Sequence, residues 1–218
     1  LYRAAGSTMI DPMSEASGNE PARPEPGPDV QMDLRPLDST TTAAQDMASS
    51  LDVSLVQSQR IHKLNDYWLA KAKGRVPSRS EIDPVDVREL LPNLMMIDIL
   101  GDPPRFRYRL VGTRVVQYTG FDFTGRCIDE MVFQGRDFME QCYRRMLAEK
   151  RPVFGHYAWL VRSRHFGQCE FGLFPLSDDG TTVNRAISIE DYERMERDIL
   201  TYGQQGAPMR KLGEGGRV

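Results

Sequence analysis

Three cysteines are the side chains of this sequence with the most reactive chemistry, since a thiolate can bind a metal or attack an electrophile. They stand at positions 127, 142 and 169, and this spacing matches neither a Cys-x-x-Cys redox pair nor a zinc knuckle. The enzyme motifs GxSxG, GxGxxG, HExxH and the P-loop do not occur in the sequence. We therefore predict that the protein is not an enzyme and that it has no metal site. An odd number of cysteines at this spacing suits a reducing compartment, and together with the lack of a membrane-spanning apolar run it favours the cytoplasm.

A row of arginines places positive charge at a regular spacing. In the stretch RFRYRLVG every second residue is an arginine: Arg105, Arg107 and Arg109. If the stretch is a strand, the three guanidiniums share one face, which could serve a nucleic acid, an anion or only the solvent. The stretch lacks the Gly-aromatic-Gly pattern of an RNA-binding strand, and its aromatic residues point away from its arginines. We therefore disfavour nucleic-acid binding and predict a solvent-facing row at the rim of a contact with a partner.

The charge of the chain is unevenly distributed. Residues 1–55 hold nine acids and three arginines (net minus 6), which leaves 22 acids and 25 bases (net plus 3) for the rest. A weakly basic remainder is unlike a general nucleic-acid binder. Up to residue 54 the sequence is rich in Pro, Ser and acids without apolar periodicity, and it predicts a disordered tail, either passive or a docking arm. The first residues could be foreign to the native protein, with Met9 and Met13 as possible starts.

An amphipathic helix is predicted at residues 55–76. Ile61, Leu64 and Trp68 recur at helical spacing, with charged residues between them. A tryptophan on an exposed helix face is unfavourable without a partner, so this stripe should pack on the chain's own sheet or against a second copy. We favour the second possibility and predict a homodimer that forms through these three residues.

A short helix and a β-hairpin should follow. Asp-Pro at its start and a proline at its end predict a helix at 83–92. The strands LMMIDILG and RFRYRLVG flank the turn Gly-Asp-Pro-Pro, which predicts a hairpin. A four-residue loop pairs Leu100 with Arg105 and Asp98 with Arg107. The residues that alternate with the arginines should face the core: Phe106, Tyr108 and Leu110.

The clearest helix of the sequence begins at about residue 136. Asp137 and Glu140 form a capping-box pattern, an apolar stripe follows, and Pro152 ends the helix. Three strands are predicted after it, at 153–161, 165–177 and 182–190, and then a short helix and a loose tail at 191–218. This order predicts an α+β fold, a five-stranded antiparallel sheet with helices on one face.

Several blocks of the sequence resemble, in the same order, the short stand-alone PAS proteins of proteobacteria. The blocks are IDP at 82–84, LLPNL at 90–94, RFRYRLVGT at 105–113, TG at 124–125 and PLS at 175–177. The resemblance runs from about Tyr67 to Ile189, and it places a PAS-like domain at 77–190. It implies a sensory module in which a curled sheet and the long helix enclose a small pocket. It also implies dimerisation through an N-terminal helix, as is common in this family.

The resemblance does not supply a cofactor. Haem-binding relatives commonly use a histidine on or near the long helix, but this chain has none between residues 135 and 150. His62 and His165 lie elsewhere, and a lone strand histidine such as His156 is more often structural. Flavin-binding light sensors carry an Asn-Cys-Arg-Phe type of string, which the residues around Cys127 lack. The sequence therefore supports neither haem nor flavin, and the cofactor is left unknown.

The apolar pocket that the resemblance implies has seven candidate residues: Tyr118, Phe133, Phe138, Cys142, Met146, Trp159 and Phe171. We favour the alternative that these residues are packed core, because a small domain needs most of its aromatic residues simply to fold. The leading hypothesis is a cytoplasmic PAS-type regulatory module that acts through protein–protein contact, as a homodimer, on a kinase or scaffold, with a small ligand as a possible signal. The alternative is a protein that carries a small molecule or is redox-active, which visible absorbance or a released ligand would reveal.

Overall fold

The computed structural model of the chain describes residues 47–133, 135–162 and 165–194, with the backbone alone at 159–162 and 165–167. The helices in these ranges are α1 (Gln59–Ala72), α2 (Thr113–Thr119) and α3 (Arg136–Glu149). The strands are β1 (Ala48–Ser50), β2 (Leu94–Leu100), β3 (Arg105–Val111), β4 (Val153–Arg162), β5 (His165–Leu176) and β6 (Arg185–Asp191). No helix in the described ranges is long and apolar enough to cross a membrane. The segments predicted at 1–46 and 195–218 lie outside the described residues.

The six strands form one antiparallel sheet in the order β1-β4-β5-β6-β2-β3. The predicted α+β class is confirmed, but the sheet has six strands in the described ranges instead of five. The additional strand is β1, which pairs with β4 although the sequence placed it in the disordered tail. Gly155 makes this pairing possible, because a Cβ there would lie 2.4 Å from the carbonyl oxygen of Ala48. The folded part of the chain therefore begins before residue 54, where the sequence predicted the end of the disordered tail.

Helices cover both faces of the sheet, and not one face as predicted. On the first face α3 packs to form the inner core, which includes Ile97, Phe106, Tyr108, Met139, Cys142, Tyr143, Met146, Phe171 and Leu173. On the opposite face α1 packs to form the outer core, which includes Ile61, Leu64, Trp68, Phe154, Phe174, Leu176, Ile187 and Ile189. The sheet is therefore the middle layer of three.

The apolar stripe of α1 packs on the chain's own sheet. Ile61, Leu64 and Trp68 are exposed by 0, 1 and 5%, and the indole Nε1 of Trp68 donates a hydrogen bond to the carbonyl of Pro175 at 2.9 Å. Burial of each such side chain stabilises the fold by about 1.5–3 kcal/mol. The three residues predicted to form a dimer helix are thus enclosed within one chain, and that prediction is wrong for these residues. The helix begins later than predicted, after its N-cap Ser58.

The β2–β3 hairpin has the predicted register, with Asp98 opposite Arg107. Leu110 differs from the prediction, because it is 53% exposed. A β-bulge leaves Arg109 without an opposite residue, so that Leu110 pairs with Met96. One extra residue inverts the alternation of every side chain that follows it. Before the bulge the predicted core residues are buried: Phe106 and Tyr108.

The segment predicted as a short helix at 83–92 forms a series of tight turns. Asp83 caps the first turn as expected, since its Oδ1 accepts a hydrogen bond from the backbone N–H of Val85 at 2.9 Å. The backbone bonds that follow join residues three apart, and the segment ends in the 3₁₀ helix Leu91–Asn93. The turns lie against α1 and bury Val87 and Leu90 in the outer core.

Candidate functional site

Six of the seven residues predicted to line a pocket belong to or pack against the inner core: Tyr118, Phe133, Phe138, Cys142, Met146 and Phe171. The side chain of the seventh, Trp159, lies outside the described part of the chain. The Phe138 ring stands edge-on to the Phe171 ring, with centroids 6.1 Å apart. Met146 and Phe171 are fully buried. The structure therefore brings these six residues together in one packed, largely aromatic core.

A buried carboxyl group lies in the same region, and the sequence did not predict it as a functional residue. Glu190 on β6 is 8% exposed, and it accepts a short hydrogen bond from the hydroxyl of Tyr192. Burial raises the pKa of Glu190, and interactions with the Tyr192 and Tyr157 hydroxyls only partly oppose this shift. A carboxyl group whose charged form is disfavoured would respond to any change in its hydrogen bonds.

Tyrosines surround this carboxyl group. The ring of Tyr118 stacks on Tyr192, with centroids 4.2 Å apart and an interplanar angle of 12°. Burial also raises the pKa of Tyr157 and of Tyr192, so both phenols stay protonated. Protonated phenols can donate hydrogen bonds in an otherwise apolar cluster. The inner core thus combines aromatic surface with a few polar groups, which is the composition of a small-molecule site.

Local sequence reasoning missed Glu190 because of the alternation in β6. Its isoleucines, Ile187 and Ile189, face the outer core, while Ser188 and Glu190 face the inner core and are buried. A strand that alternates isoleucine with polar residues normally turns the polar side chains to solvent. Here α3 covers that face. The signal available in the sequence was the apolar stripe of α1, which must pack against an apolar surface. The isoleucine face of β6 is such a surface, and this match could have shown that Ser188 and Glu190 face the other side of the sheet.

The residue after Glu190 connects the sheet to α1. Asp191 points to the opposite face, where it accepts hydrogen bonds from the hydroxyl of Ser58 and from Arg60, the latter at 3.1 Å. Glu170, its partner across the β5–β6 pair, accepts a hydrogen bond from the backbone N–H of Ser58 at 2.7 Å. Carboxylates at a helix N-terminus are favourable because they complement the helix dipole. Two strands therefore hold the first turn of α1 through buried acids.

The arginine row faces solvent, as predicted, and is paired with acids. Arg107 and Arg109 contact Asp98 at 2.8 and 3.3 Å, and Arg105 contacts Asp129 at 2.8 Å. Burial raises the pKa of Asp98, but the hydrogen bonds and charges of the two arginines outweigh burial, and the net pKa is lowered. The predicted pair of Arg107 and Asp98 is confirmed. The role of the three arginines at a partner contact stays a prediction.

The three cysteines are free and buried. Burial raises the pKa of Cys142 to about 11 and also raises the pKa of Cys169, so the reactive thiolate is disfavoured at both positions. The thiol of Cys127 lies within 4.8 Å of carboxylate oxygens of Asp129 and Glu130. The guanidinium of Arg105 already binds both carboxylates, at 2.8 Å each. This group therefore forms an ion-pair cluster with Arg105.

Comparison with known proteins adds a family to this geometry. A family model described as a PAS domain matches residues 56–189 and so includes α1. No curated protein matches the chain. The similar solved structures include an RNA-binding light-oxygen-voltage receptor, at 14% identity and a TM-score of 0.43 over 73% of this chain and 42% of that chain. A fungal light-oxygen-voltage photoreceptor is 14% identical, with a TM-score of 0.39 over 64% of this chain and 94% of that chain. A light-oxygen-voltage domain described with a flavin analogue is 11% identical, with a TM-score of 0.35 over 55% of this chain and 91% of that chain.

Proposed function

We propose that this chain, which belongs to the PAS domain family, is a cytoplasmic sensory module that detects a change in its inner core and transmits it to a partner protein through α1. One observation carries this proposal. Glu190 and Asp191 are consecutive residues of β6, yet the first lies in the inner core and the second holds the N-terminus of α1. Alternation along a strand is what sends the two side chains to opposite faces.

The geometry supports a simple transmission step. A ligand that takes the hydrogen bond of Tyr192 would change the environment and the charge of Glu190. The backbone of β6 would adjust, and Asp191 would alter its contact with Ser58. A ligand shifts such an equilibrium only by as much as it binds the two arrangements differently. The buried pair of Glu190 and Tyr192 would supply that difference.

The partner is proposed to be a signalling protein such as a kinase or scaffold, and we also propose a homodimer. The stripe of Ile61, Leu64 and Trp68 is buried, so either contact would use other surfaces, among which the row formed by Arg105, Arg107 and Arg109 is exposed. The alternative of a redox-active protein has less support, because burial raises the pKa of the cysteine thiols.

Hydrogen exchange on the full chain tests the transmission step. Glu190→Gln removes the charge and keeps the size of the side chain, whereas Glu140→Gln makes the same change in a surface ion pair on α3. We expect faster or slower exchange of the amides at 59–62 in Glu190→Gln, together with a several-fold change in the yield of partner captured by the purified chain from native cells. Glu140→Gln should change neither quantity.

Unchanged exchange in α1 of the Glu190→Gln variant, with unchanged partner capture, would contradict the proposed transmission. Light scattering of the same sample measures the oligomeric state, and a monomeric mass at concentrations well above micromolar would contradict the proposed homodimer. A visible absorbance band, or a small molecule released on denaturation, would favour the alternative function.

A further inference from the structure

A groove of about 580 Å³ lies at the β1 edge of the sheet, outside the inner core. The segment at 50–53 forms one wall, the second half of α1 forms another, and Arg145, Arg151 and Phe154 complete it. Its volume lies within the range of about 300–1,000 Å³ that small-molecule sites occupy. The groove therefore offers enough room for a small ligand.

A side-chain amide lines this groove. Asn65 is 8% exposed and lines the groove from α1, and its side chain makes no hydrogen bond to another residue in the described ranges. Neither amide atom of Asn65 is among the fully buried, unpaired side-chain atoms of the described chain, so both reach the open space of the groove. The amide offers both a donor and an acceptor to a ligand.

Two guanidinium groups border the same groove. Arg145 donates one hydrogen bond to the carbonyl of Ser49 at 3.3 Å, which leaves most of its five N–H groups available. Arg151 lines the groove from the turn before β4. Asp52 is the one acid among the lining residues that the structure describes, and its carboxylate accepts a hydrogen bond from the backbone N–H of Ser54 at 2.9 Å. The groove thus has an excess of positive charge.

We propose that this groove binds a small organic anion, a carboxylate on an aliphatic or aromatic body. Arg145 and Arg151 would pair with the carboxylate, since a guanidinium matches its two oxygens. The body would rest on the more exposed apolar side chains of the lining, which are Leu51, Val53 and Leu69. Asn65 would bond a polar atom of the ligand. The bound anion joins α1 to the end of α3 and so stabilises the docked position of α1.

Calorimetric titration of the full chain with phenylacetate and with hexanoate tests this proposal. The neutral amides of the same acids are matched ligand controls. We expect saturable binding of at least one carboxylate and binding of its amide that is weaker by at least about tenfold, because the charge-assisted hydrogen bonds are lost. Arg145→Gln and Arg151→Gln should each lower the affinity for the carboxylate by about tenfold. Arg144→Gln, which changes a neighbour bound to Glu140 outside the groove, should leave affinity unchanged.

Asn65→Leu gives a second and independent test. The variant should weaken carboxylate binding without lowering the unfolding temperature, because it removes an amide that has no partner in the described chain. Equal affinity for acid and amide, unchanged affinity in Arg151→Gln, or no saturable binding of either carboxylate up to about 10 mM would overturn the proposal. The site does not include Glu190, and its test is the preference for acid over amide in the native chain and its loss in Arg151→Gln, so the two proposals can fail separately.

Discussion

Replacing Leu64 with alanine should destabilise the single chain, because this side chain belongs to the outer core and is 1% exposed. A homodimer built on the same stripe would give a different result. In that arrangement the substitution would weaken association and leave the isolated chain nearly as stable as before. The change therefore distinguishes burial under the chain's own sheet from burial against a second copy.

The expected magnitude follows from the burial. Leucine-to-alanine changes in packed cores cost about 2–5 kcal/mol, and the cost is larger where the surroundings cannot collapse. Leu64 lies on α1 and packs against strands that are paired on both sides, so we expect a loss of about 3 kcal/mol. For a domain of this size 1 kcal/mol corresponds to about 2–4 °C, and the unfolding temperature should fall by about 6–12 °C.

Urea unfolding followed by tryptophan fluorescence measures this change, since Trp68 lies on the same face of α1. The control is Leu69→Ala, which makes the same substitution on the same helix at a position that is 53% exposed. The control should change the free energy of unfolding by less than about 0.5 kcal/mol. Both variants should unfold with the native slope, and the difference between their midpoints should not depend on protein concentration.

Two results would refute the reasoning. The first is a loss below about 1 kcal/mol in Leu64→Ala, which would mean that the side chain is not enclosed by the sheet. The second is a destabilisation that disappears on dilution, because only a contact between chains responds to concentration in this way.

Two further predictions concern the pH dependence of stability. Asp98→Asn should cost about 1–3 kcal/mol at neutral pH, because Arg107 and Arg109 lose their carboxylate. The pKa of Asp98 is lowered in the folded chain, so the stability that its carboxylate contributes is lost as the pH falls. The urea midpoints of the variant and the native chain should therefore converge below about pH 4. A difference that persists in acid would contradict this prediction. Glu190→Gln should show the opposite trend, because burial raises the pKa of Glu190 and the native chain loses stability as the pH rises above about 4.5. The free energy of unfolding of the variant should therefore rise relative to that of the native chain between about pH 4 and 8. A constant difference across that range would argue against a buried carboxyl group that can become charged.

The β2–β3 hairpin shows how far local patterns reach. A four-residue loop and two alternating strands were enough to predict that Asp98 faces Arg107. The bulge at Arg109 was not predictable in this way, because strand alternation assumes one residue opposite each residue. The pairing of β2 with β6 on its other side fixes β2 in place, and β3 accommodates the extra residue. Leu110 turns outward as a result.

The strand β1 marks a second limit. Its residues, Ala48, Ser49 and Ser50, are small and polar and carry no period of their own. Their pairing depends on Gly155, more than a hundred residues away, where a side chain would obstruct the approach of the two backbones. Such a contact between distant segments leaves no local sequence signal.

The sequence by itself determined the α+β class, the helices α1 and α3, the strands from β2 to β6, the hairpin register and the resemblance to PAS proteins, because these depend on local periodicity, turns and motif blocks. It also showed that the stripe of Ile61, Leu64 and Trp68 must be covered. Only the tertiary structure decided what covers it, since the hydrophobic effect is non-directional and a sheet or a second chain would serve equally. By placing α1 on one face and α3 on the other, the fold buried Glu190. The candidate site thus arose from the packing of layers, which no single element specifies.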